Sequence, residues 1–479
     1  MTAIASPLSP AFHADYPDYP TSAAFSRELA RLHSLRNHEA VLQSKQPKRI
    51  FTLGTRNSKL AMVQTNIVKS ALEERWPGIE FRIYGMTTSG DINTSTPLYL
   101  MGGKALWTKE LEVELVKGNV DAIVHSLKDV PTEFPPGCEL GAILEREDPS
   151  DALCVKAGLS YTSLDQFPDG SVIGTSSVRR VAQLRRQYPQ LKFADVRGLV
   201  QTRLRKLDDP NSSFTALILA SAGLIRLGLK DRITAAVTSP SLYHAVGQGA
   251  ICMEMRSGDP SAAEVVGSLE DWKTGWAIRA ERSMLHYLEG GCSVPVGCES
   301  FLVEEVDVAK CPVVGGTPKR LSVSLPANGI SDGLPIGHPL RPVNPNDPHA
   351  ATLTLTGTIT SLAGTSSVLA TRTRLIRSIA EAEQLGAEIA RELIQGGGKA
   401  ILEELGRHIK DVQGEDGKEI PTSPNGNGVG YPVITAPLKS AVNTAPVEKS
   451  EFAEKEGAEL SKRRSVYKDG EVCQRPVGW

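Results

Sequence analysis

The chain has 479 residues, a net charge of −2 and seven cysteines. That length buries enough apolar surface for two or three domains without disulfides or metals, and the near-balance of charge argues against a broad nucleic-acid surface, so any basic site must be local. The cysteines are odd in number, run from Cys138 to Cys473 and include no CxxC pair, a pattern of reduced thiols rather than of an oxidised framework.

Residues 1–47 are polar and proline-containing and read as a disordered extension. Their opening, "MTAIASPLSPAFHADYPDYPTSAAF", resembles neither a secretory signal nor an Arg-rich presequence, so a cytoplasmic location is expected. "RIFTLGT" then reads as a strand, and "SKLAMVQTNIVKSALEERW" as a helix with Leu60, Val63, Ile67, Val68, Ala71 and Leu72 on one face behind Ser58 as a cap. "MGGKALW" sets paired glycines beside Lys104 and Trp107, a segment that can move and that attracts carboxylates.

"DAIVHSLKDVP", "SVIGTSSVRRVAQLRRQ", "KFADVRGLVQTRLRKL" and "TALILASAGLIRLG" each read as a strand followed by polar or basic residues. In an open α/β sheet such post-strand turns line the ligand crevice. The longest apolar run, Thr215 to Ile225, falls short of the roughly 20 residues that span a bilayer, and no membrane helix is expected. From about 303 to 350 the chain is rich in turn residues and reads as a surface insertion. Alternation in "ATLTLTGTITS" followed by a helical pattern marks a small α+β domain, and the Gly-, Pro- and Asn-rich tail from about 411 reads as disordered.

Arg56, Arg179, Arg180, Arg197, Arg203 and Arg226 stand at or near points where a strand gives way to a helix, with Ser58, Thr175 and Ser176 as neighbouring hydroxyl donors. A helix start and a guanidinium fork together suit a carboxylate. No GxxxxGK[ST] or GxGxxG follows a strand, so a substrate with several carboxylates fits better than a nucleotide. The bland alternative is that such arginines cover surface, and it is preferred for Arg185, Arg186 and Arg205.

Two further residues stand out. Asp129, next to Ser126 and Lys128, is the acid nearest the crevice: neighbouring cations would keep it ionised to stabilise a cation, burial would let it donate a proton, and pairing with Lys128 in a turn is the plain reading. Cys292, in "LEGGCSVPVG", is open to three uses, as a half-disulfide, a metal ligand or a carrier thiol. The reduced-thiol pattern disfavours the first, and the lack of a second pair to complete a tetrahedral set beside Cys292, Cys298 and His286 disfavours a metal.

The motifs "TSGD", "VHSLKDVP", "EREDPSDAL", "GTSSVRR", "GLIRLG", "VGQGA" and "EGGCSVPVG", in that order, closely resemble the porphobilinogen deaminase family, from about Arg49 to Glu299 and again, more weakly, from about Leu353 to Leu405. The resemblance implies an α/β protein of two periplasmic-binding-protein-like domains forming a cleft plus a small α+β C-terminal domain. The expected division is 48–147 with 240–265, then 148–239, then 266–410. It implies a transferase that joins four porphobilinogen molecules head to tail with loss of ammonia, on a dipyrromethane cofactor held by Cys292 through a thioether, and releases hydroxymethylbilane.

By resemblance Asp129 is the catalytic aspartate, stabilising the cation as ammonia leaves. Lys104, Ser126, Lys128, Thr175, Ser176, Arg179, Arg180 and Arg197 bind the cofactor, and Arg56, Ser58, Arg203, Arg226, Trp107 and Asp91 bind substrate. No metal, nucleic-acid or membrane partner is expected, and a monomer is. Three residues depart from the family pattern: Ala105 and Trp107 where "GGKGLF" is expected, and Leu199 where "RGN" is expected.

Overall fold

The computed structural model describes residues 49–88, 90, 107–288, 294–304 and 350–413. The N-terminal extension, Asp91, Lys104, Cys292, nearly all of the 303–350 insertion and the tail from 414 lie outside these residues. Among those described, no helix is long and apolar enough to cross a membrane.

Ten strands build two five-stranded sheets: β1 (Arg49–Arg56), β2 (Ile79–Met86), β3 (Ala122–Ser126), β4 (Cys138–Ile143), β5 (Asp151–Val155), β6 (Val172–Gly174), β7 (Lys192–Ala194), β8 (Phe214–Ala220), β9 (Ala235–Val237) and β10 (Ile251–Arg256). Sheet one has the order β2-β1-β3-β10-β4 and sheet two β7-β6-β8-β5-β9. In both, three strands run parallel and the fourth is antiparallel to its neighbours. The two orders match position for position. The antiparallel fourth strand of each sheet follows a passage of the chain from the other half, which gives the two halves two covalent links. The central strands are buried on both faces, as the run AIVH of β3 illustrates, and the one polar member of that run, His125, meets Glu254 of β10 at 3.0 Å.

Parallel strands need crossover helices. α1 (Lys59–Arg75) follows β1, α2 (Lys109–Val116) precedes β3, α3 (Val178–Gln187) follows β6, α4 (Val200–Asp208) follows β7 and α5 (Ser221–Arg226) follows β8. Ser58 caps α1 by accepting the Ala61 N–H, and Ser177 caps α3 by accepting that of Arg180. The buried stripe of α1 is Gln64, Thr65, Val68 and Leu72, packed on Phe51, Leu53 and Phe81. Ile67, expected on that face, is 44% exposed, because position 67 lies more than about a third of a turn from the centre of the 61–65–68–72 line.

α6 (Pro260–Gly267) completes sheet one's cover, and α7 (Trp272–Tyr287) leads into the third layer, an antiparallel sheet of β11 (Val296–Glu304), β12 (Ala351–Thr360) and β13 (Ser367–Ile376) backed by α8 (Ile379–Leu393) and α9 (Lys399–Gln413). The insertion joins β11 to β12 where Glu304 pairs with Ala351. The final helix continues to Gln413, slightly past the point where the tail was expected to begin. Arg185 and Arg186, expected to cover surface, donate instead to the carbonyls of Leu362, Gly364 and Thr365 in the β12–β13 turn.

One buried joint ties the third layer to both passages. Glu281 on α7 accepts from Arg146 Nη1 at 2.6 Å and Nη2 at 3.1 Å, from Ser300 Oγ at 2.6 Å and from the Gly247 N–H at 2.9 Å. His244 and Cys298 complete a three-residue cluster of metal-ligand type. The carboxylate of Glu281 is already spent on four donors, and the adjacent Arg146 opposes a second cation, so this geometry is that of a hydrogen-bonded joint.

Burial, reinforced by the Arg146 charge, lowers the pKa of His244 to about 4. The fold favours the neutral imidazole, so this contribution is complete above the free imidazole value near 6.5 and drains away as pH falls through about 4. Stability in urea is expected to drop by up to about 1.4 kcal/mol per pH unit within that window, and His244→Gln to flatten the decline. An unchanged acid limb in the variant would show that His244 does not carry it.

Candidate active site

The strand ends converge on a cavity of about 330 Å³ between the two sheets. Sheet one contributes Arg56 at the end of β1, Ser58 at the cap of α1, and Ser126, Lys128 and Asp129 from the end of β3 and the 3-10 turn Leu127–Asp129. Sheet two contributes Ser176 from the turn after β6, Arg180 from the first turn of α3, Arg197 and Arg203 from around the start of α4, and Arg226 from the end of α5. With Lys59, seven cations and one carboxylate, Asp129, line the cavity among the described residues. Such a wall attracts anions.

Most of these side chains are already anchored. Ser126 exchanges hydrogen bonds with the Gln64 amide at 2.9 and 3.0 Å, and Ser176 Oγ donates to the Val196 carbonyl at 2.6 Å. Arg203 Nε donates to the Gly198 carbonyl at 2.7 Å, and Arg226 Nη2 to that of Gly249 at 2.6 Å. Trp107 lies on the wall with the Arg56 guanidinium 4.1 Å from its ring centroid, a cation–π stack. Gly90 leaves room for that indole, which a Cβ would meet.

Behind the wall sits Asp151. Arg179 Nη1 and Nη2 reach its oxygens at 2.7 and 3.2 Å, and Arg180 Nε and Nη2 at 2.9 and 2.6 Å. Burial alone would raise the pKa of Asp151, but the two guanidiniums outweigh it and hold the carboxyl well below its ordinary range. Gln248 Nε2 also donates to Asp151, at 3.0 Å, while its Oε1 accepts from Lys128 Nζ at 3.4 Å. Lys128 is pulled down to about 8 by burial and by Arg180 and Arg179, against the opposing pull of Asp129 and Asp151. Burial and the neighbouring Arg180 and Arg197 lower Arg203 to about 10.

Two expected residues stand off the wall. Arg179 is buried against Asp151 and the Tyr243 carbonyl, at 2.6 Å, and Thr175 is buried in the turn, where its Oγ1 accepts the Ser177 N–H at 3.3 Å. The sequence pattern assigns no role to Lys59, Gln64, Gln201 and Gln248, which line or support the cavity, whereas Leu199, already marked as a departure from the family pattern, lies on its wall. Gln201, two residues before Arg203 in "RGLVQTRL", is the most accessible of those four, since it lies in the first turn of the helix that carries Arg203.

Arg197 Nη1 and Gln201 Nε2 are buried without a hydrogen-bond partner among the described residues. Buried donors in a cationic cavity are completed by a ligand rich in oxygen. Two α/β halves and a cleft whose described residues set one acid among seven cations define a protein suited to hold a polyanionic small molecule and to stabilise positive charge upon it.

Comparison with known proteins makes that class specific. Residues 51–264 match the model described as porphobilinogen deaminase, dipyromethane cofactor binding domain, and residues 276–308 match the C-terminal domain of the same family. A porphobilinogen deaminase from Yarrowia lipolytica is 43% identical over 376 residues, spanning 78% of this chain and 96% of that protein. One from Saccharomyces cerevisiae is 50% identical over 257 residues, 53% of this chain and 79% of that protein. One from Synechococcus elongatus is 40% identical over 359 residues, 75% and 96%. Among solved structures, a methionine-binding protein matches with a TM-score of 0.31 at 12% identity, over 46% of this chain and 89% of that one, too slight a likeness to support a conclusion. The chain belongs to the porphobilinogen deaminase family.

Arg179 and Arg197 separate holding from waiting. Arg179→Leu is expected to cost about 3 kcal/mol of stability, since it strips a partner from a buried carboxylate. Arg197→Leu, whose Nη1 has no bond to lose, is expected to stay within about 0.5 kcal/mol of the parent. Denaturant melts of the two variants check the contrast, and equal losses would contradict it.

Proposed function

We propose that this cleft condenses four porphobilinogen molecules head to tail, with loss of ammonia at each addition and hydrolytic release of hydroxymethylbilane. The observation that carries the reading is that, among the described residues of the wall, one carboxylate, Asp129, faces seven cations. A substrate bearing acetate and propionate groups supplies the negative charge that such a wall lacks, and Asp129 supplies the one negative site for a carbon that becomes positive as ammonia departs.

The dipyrromethane cofactor, when bound, supplies the growing end to which each unit is added, and Cys292 is the thiol proposed to hold it. The unpartnered donors of Arg197 and Gln201 suit its carboxylates. In this reading Ser126, Lys128, Ser176, Arg180 and Arg197 hold the cofactor's acid groups. Arg56, Ser58, Arg203 and Arg226 hold those of the incoming substrate, and Trp107, stacked on Arg56, offers an aromatic wall for a pyrrole. Lys104 and Asp91 join by resemblance. Arg179 and Thr175 act behind the wall by fixing the "GTSSVRR" turn. The domain division proposed is 48–147 with 240–265, 148–239 and 266–410, in a cytoplasmic monomer. Free, buried thiols at Cys138, Cys154, Cys252 and Cys298 agree with a reducing compartment.

The decisive experiment joins intact mass to turnover. Active protein is expected to carry a two-pyrrole adduct on the Cys292 peptide, and Cys292→Ser to lack it. Asp129→Asn is expected to keep the adduct while losing at least about a hundredfold in turnover, the loss typical of removing one preorganised electrostatic group. An unmodified active protein, or near-normal turnover in Asp129→Asn, would refute the assignment.

Lys128 adds a pH signature. Its charge is present below about 8 and lost above it, so assembly of the two-pyrrole adduct from porphobilinogen is expected to slow as pH passes through about 8, read by intact mass over time. Lys128→Arg should move that limb to higher pH, and an identical alkaline limb in both proteins would show that another group sets it.

A further inference from the structure

We infer that Gln201 is a specificity-determining residue of the cleft, gripping one pyrrole-borne carboxylate together with Arg197. The inference rests on the reading of the cleft as a porphobilinogen deaminase site, and it starts from which donors in the cavity are still unspent. Arg180 has given Nε and Nη2 to Asp151 and Nη1 to the Ile218 carbonyl. Arg226 and Arg203 are each anchored by one N–H to a backbone carbonyl, which fixes where their remaining donors lie. By contrast, Arg197 Nη1 and Gln201 Nε2 are buried cavity-wall donors with no partner among the described residues.

The backbone that carries the pair is held in advance. Gly198, with φ 109°, turns the chain between Arg197 and the start of α4, a conformation that favours glycine. Lys206 Nζ grips the Arg197 carbonyl at 3.2 Å and Arg203 Nε grips that of Gly198 at 2.7 Å. The intervening wall residues, Leu199 and Val200, are apolar, so little local polar competition exists for whatever binds. The two donors, one charged and one neutral, belong to the wall of one cavity and lie four positions apart in the chain, and a planar carboxylate can accept one N–H on each of its two oxygens. The guanidinium supplies attraction. The amide adds direction without adding charge, which is what discriminates a correctly placed acid group from any nearby anion.

That carboxylate has two sources, the anchored cofactor or the incoming substrate, and the test separates them. The full chain is prepared as wild type, Gln201→Leu and Gln201→Glu, and each is assayed by intact mass for the two-pyrrole adduct and by kinetics with porphobilinogen. If the substrate supplies the group, Gln201→Leu keeps a full adduct and raises KM about tenfold with kcat little changed, the effect of one hydrogen bond to a charged group. If the cofactor supplies it, the adduct fraction falls and KM of the loaded fraction is unchanged.

Gln201→Glu sets a carboxylate against a carboxylate. Its defect is expected to exceed that of Gln201→Leu at pH 8 and to shrink as pH falls toward 5, relative to wild type, a rescue that a merely structural role does not give. Unchanged adduct, KM and kcat in both variants, with wild type active, would overturn the inference. So would a large loss of thermal stability in Gln201→Leu, since the amide would then have been holding the fold. A wild type that neither carries the adduct nor turns over porphobilinogen would instead overturn the reading of the cleft.

Discussion

Two consecutive guanidiniums share one buried carboxylate at the root of the cleft, and most of the architecture around the cavity follows from where that carboxylate sits. Asp151 opens β5, directly after the first passage between the halves, and pairs with Ala220 and Val237 at the ends of β8 and β9. A charge buried there needs partners of opposite sign and good geometry. Because Arg179 and Arg180 are neighbours at the start of α3, satisfying Asp151 turns that helix end toward the passage and lays the Gly174–Ser177 turn along the cavity. Gln248, on the second passage, bonds both Asp151 and Lys128, so the turn that bears Asp129 is fixed to the same charge.

This arrangement sorts the cations into two kinds. Arg180 spends three of its five N–H groups on Asp151 and the Ile218 carbonyl and turns its charge and the remaining two toward the cavity. Arg226 closes α5 onto the second passage through Gly249, where φ is 92° and a Cβ would collide with the Glu147 carbonyl. Arg197 keeps a donor in reserve. The wall is therefore rigid in most of its charges and incomplete in a few of its hydrogen bonds, the combination that electrostatic preorganisation requires.

Much of this was legible in the sequence, for physical reasons that also set the limit. Apolar runs closed by basic residues located the strand ends, and the strand ends are the site: Arg56, Lys128, Asp129, Ser176 and Arg203 all face one cavity. What separates Arg179 from Arg180 was not legible. The residues are adjacent, and their common partner, Asp151, lies 28 positions away across a sheet whose order no local pattern encodes. Gln201 was passed over because a glutamine in a helix is ordinarily a solvated residue, and only the burial of its Nε2 marks it. Ile67 failed for a simpler reason: a stripe of apolar letters was read as a face, whereas the buried line included the polar Gln64 and Thr65.

The late return of β10 to sheet one also governs the order in which the molecule can be made. Sheet two is contiguous in the chain, from Asp151 to Val237, and all its strands exist once residue 237 has left the ribosome. Sheet one is different, because β10 lies between β3 and β4 and begins only at Ile251. The earlier strands must wait with open edges, unable to pair β3 with β4, while about 110 further residues are added, roughly 6 to 20 s at ordinary elongation rates. The half synthesised first is thus the half completed last, and its exposure to mispairing is longest in the nascent chain.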